Sequence, residues 1–330
     1  MTPPPCTTNF NYFDSPNFLI IALQIVTITS TPIYFLGAYC ILCKTPRAMQ
    51  SVKWYMFALH IWTMLFDYSV CLLTVPYMLL PTVSGIPYGV LRHLGVHPSY
   101  QTALVVILFA YMFISTISIY ENRFFILCQF RFKEKWKIGR RIWLFLHYFV
   151  TLILIIPPFL LIPDQEKGKE KVFKTLPCLP DYIYNNPDLF VGATDFSYIQ
   201  PAAFPVVAVF SFETLFFFFF LLWNGWQQWK STNLSKRTFQ MHIKFIAALF
   251  IQLSIPSVLI MIPLIYAEIS VVWNYFNQAA INISLVLATT HGFCATIVMI
   301  LVHKPYRLAV MRLITRKNGV TKSTVMSVFE

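Results

Sequence analysis

The chain has 330 residues, of which 57% are hydrophobic and only 12% are charged. Soluble globular domains carry about 25% charged residues, so this composition excludes a soluble protein and indicates a membrane protein with several spans. The formal net charge of +12 lies mostly in loops between apolar stretches, which is typical of a membrane surface and argues against nucleic acid as a partner.

Seven apolar stretches are each long enough to cross the roughly 30 Å hydrocarbon core of a bilayer as a helix. They cover residues 18–42, 54–80, 100–120, 142–162, 201–223, 245–267 and 279–302. The series contains no repeated half and no low-complexity linker. The sequence therefore predicts one domain over residues 1–330, built as an all-α bundle of seven transmembrane helices.

Basic residues indicate the orientation of this bundle. Twenty of the 25 lysines and arginines lie in the odd-numbered loops and the C-terminal segment, and the first 17 residues contain none. Cytoplasmic loops carry the excess of Lys and Arg, so the asymmetry favours an extracellular N-terminus and a cytosolic C-terminus over the mirror topology. Tyr306, Val310, Leu313 and Ile314 recur at helical spacing after the last span, which predicts a short amphipathic helix against membrane lipid.

In this topology the cysteines differ in their position relative to the membrane. Of the seven, only Cys6 and Cys178 fall clearly on the extracellular, oxidising side. A disulfide bridge from the N-terminal segment to the long fourth loop is one interpretation, and two free thiols are the other.

Asp67 and Glu213 are the only acidic residues in the predicted spans. A carboxylate at bilayer depth costs several kcal/mol unless it is protonated, hydrated or paired. Asn282 and His291 of the last span are candidate partners for Asp67, which predicts an intramembrane polar hub that re-pairs when the bundle changes state. A static hydrogen bond between helices is the alternative. Glu213 receives no role.

The spans offer no pattern typical of catalysis or of metal binding. They contain no Lys, so a retinal Schiff base is excluded. His60, His147 and His291 lack the His-x-x-x-His or His-Glu-x-x-His spacing that makes a zinc site specific. We therefore expect no enzyme, no metal and no cofactor.

Glu121-Asn122-Arg123 directly follows the 21 uncharged residues of the third span. An acid, an amide and a base together suit a membrane helix that surfaces into headgroups and cytosol. In a seven-helix receptor this position meets the G protein, so we expect the triplet to contribute to coupling. The alternative is that Arg123 only extends to phosphate headgroups.

Short motifs over nearly the whole chain resemble the nematode serpentine receptors of class H, a chemoreceptor family. These motifs are Tyr39-Cys-Ile-Leu42, Lys44-Thr-Pro46, Ser51-Val-Lys-Trp54, Leu59-His-Ile-Trp62, Glu121-Asn-Arg123, Ile162-Pro-Asp-Gln165, Leu176-Pro-Cys-Leu-Pro180, Asn277-Gln-Ala279, His291-Gly-Phe293 and His303-Lys-Pro-Tyr-Arg307.

The resemblance implies a chemosensory receptor in the plasma membrane of a sensory-neuron cilium, which binds a small molecule and signals through a heterotrimeric G protein. A ligand-gated ion channel subunit is the alternative function. We expect the ligand pocket in the outer half of the bundle, and the candidate residues are Gln101, Tyr111, Phe204, Tyr266 and Gln278.

Overall fold

The computed structural model describes residues 10–127, 131–160, 162–176, 178–193, 199–230 and 236–317. Seven of its helical segments are long and apolar enough to cross a membrane, which confirms the predicted number of spans. These segments are Pro16–Lys44, Gln50–Thr74, Pro98–Ile126, Lys133–Ile155, Ala208–Gln227, Phe250–Val272 and Gln278–Val302.

The helices are numbered in chain order. They are α1 (Pro16–Lys44), α2 (Gln50–Tyr68), α3 (Val90–His93), α4 (Pro98–Leu127), α5 (Lys133–Leu160), α6 (Gln165–Thr175), α7 (Asp181–Tyr184), α8 (Ile199–Lys230), α9 (Lys236–Val272), α10 (Gln278–Thr289), α11 (His291–Val302) and α12 (Lys304–Lys317). A π-helix over Ser69–Thr74 continues α2. Helix α4 packs against α2, α5 and α8, while α11 packs against α1, α9 and α12.

Most span boundaries differ from the prediction by one to nine residues, and two of these differences bear on the candidate sites. The second span ends at Thr74 and not at residue 80, because Pro76 has no amide hydrogen to continue the helix and its ring disfavours helical geometry in the residue before it. The third span continues past residue 120 to Ile126, and its helix α4 ends at Leu127, since apolar residues follow the charged triplet. The triplet therefore lies inside α4.

One end of the bundle carries a small antiparallel sheet that hydropathy did not predict. Its strands are β1 (Pro76–Met78), β2 (Val83–Pro87) and β3 (Phe190–Ala193), paired in the order β1-β2-β3. We call this end the sheet end. Side chains of the sheet, of the segments around α6 and α7 and of α1 form one apolar core there, which includes Leu19, Leu23, Tyr77, Ile86, Leu179, Ile183 and Val191.

The N-terminal segment closes the sheet end. The carbonyl oxygen of Asp14 accepts a hydrogen bond from the hydroxyl of Tyr77 at 2.6 Å. One oxygen of its carboxylate accepts the amide hydrogen of Ala279, at 2.8 Å, where α10 begins. The ion pair between Arg92 and Asp188, 2.6 Å apart, ties the segment after β2 to the segment before β3. We call this assembly of strands, short helices and N-terminal residues the cap.

The opposite end, which we call the basic end, carries Lys44, Arg140 and α12. The predicted amphipathic C-terminal helix is confirmed as α12. Tyr306 anchors it, because this side chain is 0% exposed and its hydroxyl lies 2.8 Å from Oγ1 of Thr45. Ile314 is 56% exposed and lies among basic residues, as expected for a helix resting on a membrane surface.

Candidate functional site

A buried polar cluster lies near the middle of the bundle, between α1, α2 and α11. Its centre is Asp67, which is 3% exposed. The hydroxyl of Tyr34 donates a hydrogen bond to Oδ2 of Asp67, and Oδ1 lies 3.3 Å from Nδ1 of His291. Nδ1 of His291 is also 2.7 Å from the carbonyl oxygen of Ala288, and it carries the proton because a carbonyl only accepts. The structure thus brings Asp67 and His291 together and adds Tyr34.

Asn282, the third residue predicted for this hub, lies in the cap. Its side-chain nitrogen donates to the carbonyl oxygen of Phe13 at 2.8 Å, and its oxygen accepts from Gln278 at 3.0 Å. Nine residues of helix separate Asn282 from His291, a rise of roughly 13 Å. Only one of the two residues can therefore contact Asp67, and that residue is His291. The predicted hub is corrected to Asp67, His291 and Tyr34.

Gly292 makes the close packing of this cluster possible. A β-carbon at this position would overlap Oδ2 of Asp67 and lie 2.5 Å from the hydroxyl of Tyr34 and 2.8 Å from Cγ2 of Thr63. Such distances require neighbouring atoms to move. Only glycine allows α11 to approach α1 and α2 this closely.

Gly292→Ala should therefore lower the free energy of unfolding by about 1–3 kcal/mol, the usual cost of an added methyl group in a packed core. Gly139→Ala in α5 is the matched control, because its β-carbon would meet Trp136 at an ordinary 3.5 Å. Alanine favours a helix over glycine, so the control should be neutral or stabilising by up to about 1 kcal/mol. Thermal unfolding in detergent measures both, and equal stabilities of the two variants would contradict the packing argument.

A cavity of about 90 Å³ lies beside the polar cluster, on the side of the basic end. Its lining residues come from helices α2, α4, α9 and α11. His60, Thr63, Gln252 and His291 contribute polar groups to its wall. Much of the remaining wall is formed by four methionines, Met56, Met112, Met261 and Met299. Methionine side chains are flexible and polarisable, which suits a binding wall that adapts to its ligand.

The described side chains among those predicted to line a pocket lie elsewhere. Gln101, Tyr266 and Gln278 each donate a side-chain hydrogen bond to a backbone carbonyl, at 2.8, 3.3 and 3.1 Å, near the sheet end. Tyr111 packs edge-on against Trp62, with ring centroids 5.0 Å apart. The side chain of Phe204 is outside the described residues. The four described residues do not line the cavity, because the cap occupies the end of the bundle where a pocket was expected.

The triplet at the basic end is buried. Glu121, Asn122 and Arg123 are 1%, 2% and 6% exposed. Oε2 of Glu121 lies 2.6 Å from Nη2 of Arg140, and Oε1 accepts a hydrogen bond from the indole of Trp136 at 2.7 Å. The same guanidinium nitrogen is 3.0 Å from the side-chain oxygen of Asn122. Arg140 of α5 therefore contacts the side chains of both Glu121 and Asn122. We call this pair of contacts the Arg140 clamp.

Arg123 lies near His303, at the junction of α11 with α12. Burial, and after it the nearby positive charge of Arg123, lowers the pKa of His303 to about 4. His303 is therefore neutral at pH 7, and its Nε2 lies 3.0 Å from Oε1 of Gln252 in α9. Arg123 thus neighbours a contact between α9 and the junction of α11 with α12. Its 6% exposure places the side chain inside the bundle and not among headgroups.

Glu213, which received no role from the sequence, is paired between α5 and α8. Its Oε2 lies 2.9 Å from Nε2 of His147, and Oε1 is 3.3 Å from the indole nitrogen of Trp143. The signal that could have found this pair is that the fourth predicted span contains one histidine and the fifth contains one acidic residue. Cys6 lies outside the described residues, so its disulfide to Cys178 stays a prediction.

A family model described as Serpentine type 7TM GPCR chemoreceptor Srh matches residues 14–316. The chain belongs to this Srh family. It is also 23% identical over 311 residues to Serpentine receptor class H-72 of Caenorhabditis elegans, an alignment that covers 93% of this chain and 88% of the relative. The resemblance inferred from short motifs is confirmed. Srh is a receptor family, and the seven spans make this member a multi-pass membrane protein.

The polar cluster leads to a prediction for this Srh receptor. Asp67→Asn should preserve the fold, since the amide keeps the shape and can still accept from Tyr34, but under the G-protein coupling predicted from the sequence it should change basal signalling at least fivefold. A static hydrogen bond between membrane helices is worth about 0.6 kcal/mol on average, which corresponds to less than about threefold. Basal nucleotide exchange on a G protein, measured at matched surface level, separates the two cases.

Glu213→Gln is the matched control, because Glu213 is a membrane-depth acid that lies outside the cluster and pairs with His147. We expect its basal exchange to stay within twofold of the unmodified receptor. Unchanged basal exchange in Asp67→Asn would assign Asp67 to static packing.

Proposed function

We propose that this Srh protein is a chemosensory receptor of the plasma membrane, located in the cilium of a sensory neuron. It binds a small molecule within its helix bundle and signals through a heterotrimeric G protein. The family membership supports the general class of receptor, and the arrangement of cavity, polar cluster and triplet supports the mechanism.

The observation that carries this proposal is the contact between cavity and polar cluster. His291 belongs to both, since it lines the cavity and lies 3.3 Å from Asp67. Because Nδ1 of His291 carries the proton toward Ala288, its Nε2 is an acceptor, and the atom that the described residues place against it is the sulfur of Met112 at 3.2 Å, which has no hydrogen to donate. A ligand that donates a hydrogen bond to Nε2 therefore displaces Met112 from this contact. The cluster joins α1, α2 and α11. A ligand that bonds to His291 in only one of two arrangements of these helices, resting or active, stabilises that arrangement relative to the other.

The basic end is the proposed surface for the G protein. Gln252 links the two regions, because it lines the cavity and also contacts His303, the neighbour of Arg123. A movement of α9 that breaks this contact exposes Arg123 to the carbonyl groups of a partner. The fixed fork of donors in arginine suits such carbonyl groups better than a lysine does.

Nucleotide exchange on a purified heterotrimeric G protein tests this function directly. The receptor, in lipid nanodiscs, is screened with a panel of volatile and lipophilic compounds, and an active compound should accelerate exchange in proportion to its occupancy. Planar-bilayer recording of the same preparation tests the channel alternative. A compound-induced current that needs no G protein, with no change in nucleotide exchange, would overturn the proposal.

The orientation is part of this proposal, with Met1 extracellular and Glu330 cytosolic. An epitope tag at the N-terminus should be stained on intact cells, whereas a tag at the C-terminus should need permeabilisation. The physical reason is the preference of lysine and arginine for the cytoplasmic side. Staining of only the C-terminal tag on intact cells would reverse the orientation.

A further inference from the structure

The cavity is closed toward the sheet end. The polar cluster lies directly above it, and beyond the cluster the cap fills the bundle. Gln278 and Asn282 are each 1% exposed and bond to cap residues, and Tyr77 is 0% exposed. A ligand arriving through the cap would have to break these hydrogen bonds and open an apolar core.

The cavity is also closed toward the basic end. Ile117 and Tyr120 of α4, Met299 of α11 and Tyr306 of α12 belong to one buried apolar cluster there. The contact of Gln252 with His303, 3.0 Å long, lies at the same level. Access from the aqueous phase on this side therefore also requires rearrangement of packed side chains.

The side wall of the cavity is different, because part of it faces outward. Ser257 and Met261 both line the cavity, both lie on α9 one turn apart, and both are exposed, Met261 to 48%. Their neighbours Val258 and Ile262 are 55% and 51% exposed and belong to the apolar, lipid-facing stripe of α9. Membrane helices turn such residues toward hydrocarbon. We call this part of the wall the α9 window.

The lining also restricts the chemistry of the ligand. The described residues that form the wall include no Lys, Arg, Asp or Glu. A charged ligand would therefore leave water for an apolar cavity without an ionic partner, which is costly. The polar groups that face the cavity include those of Thr63 and His291, so one hydrogen-bonding group on the ligand can be satisfied there.

From these observations, and resting on the proposed function, we propose that the ligand is a neutral lipophilic small molecule with one hydrogen-bonding group, which reaches the cavity from the bilayer through the α9 window. A molecule of this class is concentrated in the membrane, by about 0.8 kcal/mol for each buried CH₂ group. The bilayer then acts as the reservoir that supplies the cavity. The route is the same whichever end of the bundle faces the outside.

The test uses an eight-carbon alcohol that carries an alkyl diazirine, added to the full-length receptor in phosphatidylcholine nanodiscs. This probe is larger than the cavity of about 90 Å³, so its entry requires the flexible methionine side chains of the wall to move apart. After photolysis at increasing times, mass spectrometry follows the label on Met112 and Met299, which line the cavity. In Met261→Trp the bulky ring narrows the window, and the rate of labelling should fall at least fivefold. Ile262→Trp is the matched control, since it adds the same ring to the lipid-facing side of the next residue, and its rate should stay within twofold of the unmodified receptor.

Two further variants separate the routes. Met261→Cys is purified in its folded form, and its thiol is then modified with benzyl methanethiosulfonate. The attached benzyl group should slow labelling as the tryptophan ring does. This variant tests the window even where Met261→Trp fails to fold. Asn282→Ala loosens the cap and should leave the rate unchanged. Faster labelling in Asn282→Ala, or an unchanged rate in both Met261 variants, would overturn the lateral route.

The assay contains no G protein, so its outcome is distinct from that of the proposed function. If Met112 and Met299 remain unlabelled while nucleotide exchange responds to a water-soluble charged compound, the inferred ligand class is wrong and the receptor function stands. If the cavity is labelled through the window but no compound of any class affects exchange, the lateral route stands and G-protein signalling is wrong.

Discussion

Replacing Arg140 by alanine should lower the free energy of unfolding by about 3–5 kcal/mol, the usual cost of removing one partner from a buried ion pair. Glu121 is 1% exposed and lies 2.6 Å from Arg140, so the substitution leaves its carboxylate inside the bundle without this cation. The indole of Trp136 still donates to Glu121, but it carries no charge. Thermal unfolding of the purified protein in detergent measures the loss.

Two variants show whether the clamp is the cause. Arg141→Ala removes the adjacent arginine, which is exposed, and should change stability by less than about 0.5 kcal/mol. The double variant Glu121→Gln, Arg140→Ala removes the buried charge as well and should recover a large part of the loss. The clamp would be refuted by an Arg140→Ala variant as stable as Arg141→Ala.

Arg123→Ala should keep surface level and ligand binding but abolish activation of the G protein. The residue is 6% exposed, inside the bundle and next to the contact that joins α9 to the start of α12. Under the proposed function its guanidinium becomes available to carbonyl groups of the partner when this contact opens. Nucleotide exchange on a purified G protein, at matched receptor concentration, should fall to the rate without receptor.

Arg123→Lys is the informative second variant. Lysine is a point charge without the planar fork of arginine, so it should restore activation only in part. Arg131→Ala, which removes an exposed cation between α4 and α5, serves as the control and should activate normally. Full activation by Arg123→Lys would favour a simple role for positive charge, and full activation by Arg123→Ala would exclude Arg123 from coupling.

Hydropathy and residue patterns in the sequence determined the number of spans, the C-terminal helix and the position of one buried acid. Seven long apolar stretches had to become helices, because hydrocarbon offers no partner for a free amide or carbonyl group and a helix satisfies these groups locally. The same local reasoning located α12, since apolar residues at helical spacing among basic ones suit a membrane surface. It also marked Asp67, because one carboxylate at bilayer depth needs a partner wherever its helix lies.

The tertiary structure decided which partners those residues have. Glu121 could have met any of several basic residues, and only the rotation of α5 against α4 selects Arg140. Asn282 and His291 share one apolar span, yet one bonds to the cap and the other approaches Asp67. The cap fills the sheet end, where the sequence predicted the pocket, so the candidate pocket is instead the cavity beside His291. Hydropathy depends on each residue alone, whereas a side-chain contact depends on how two helices are turned and spaced, which packing across the whole bundle sets.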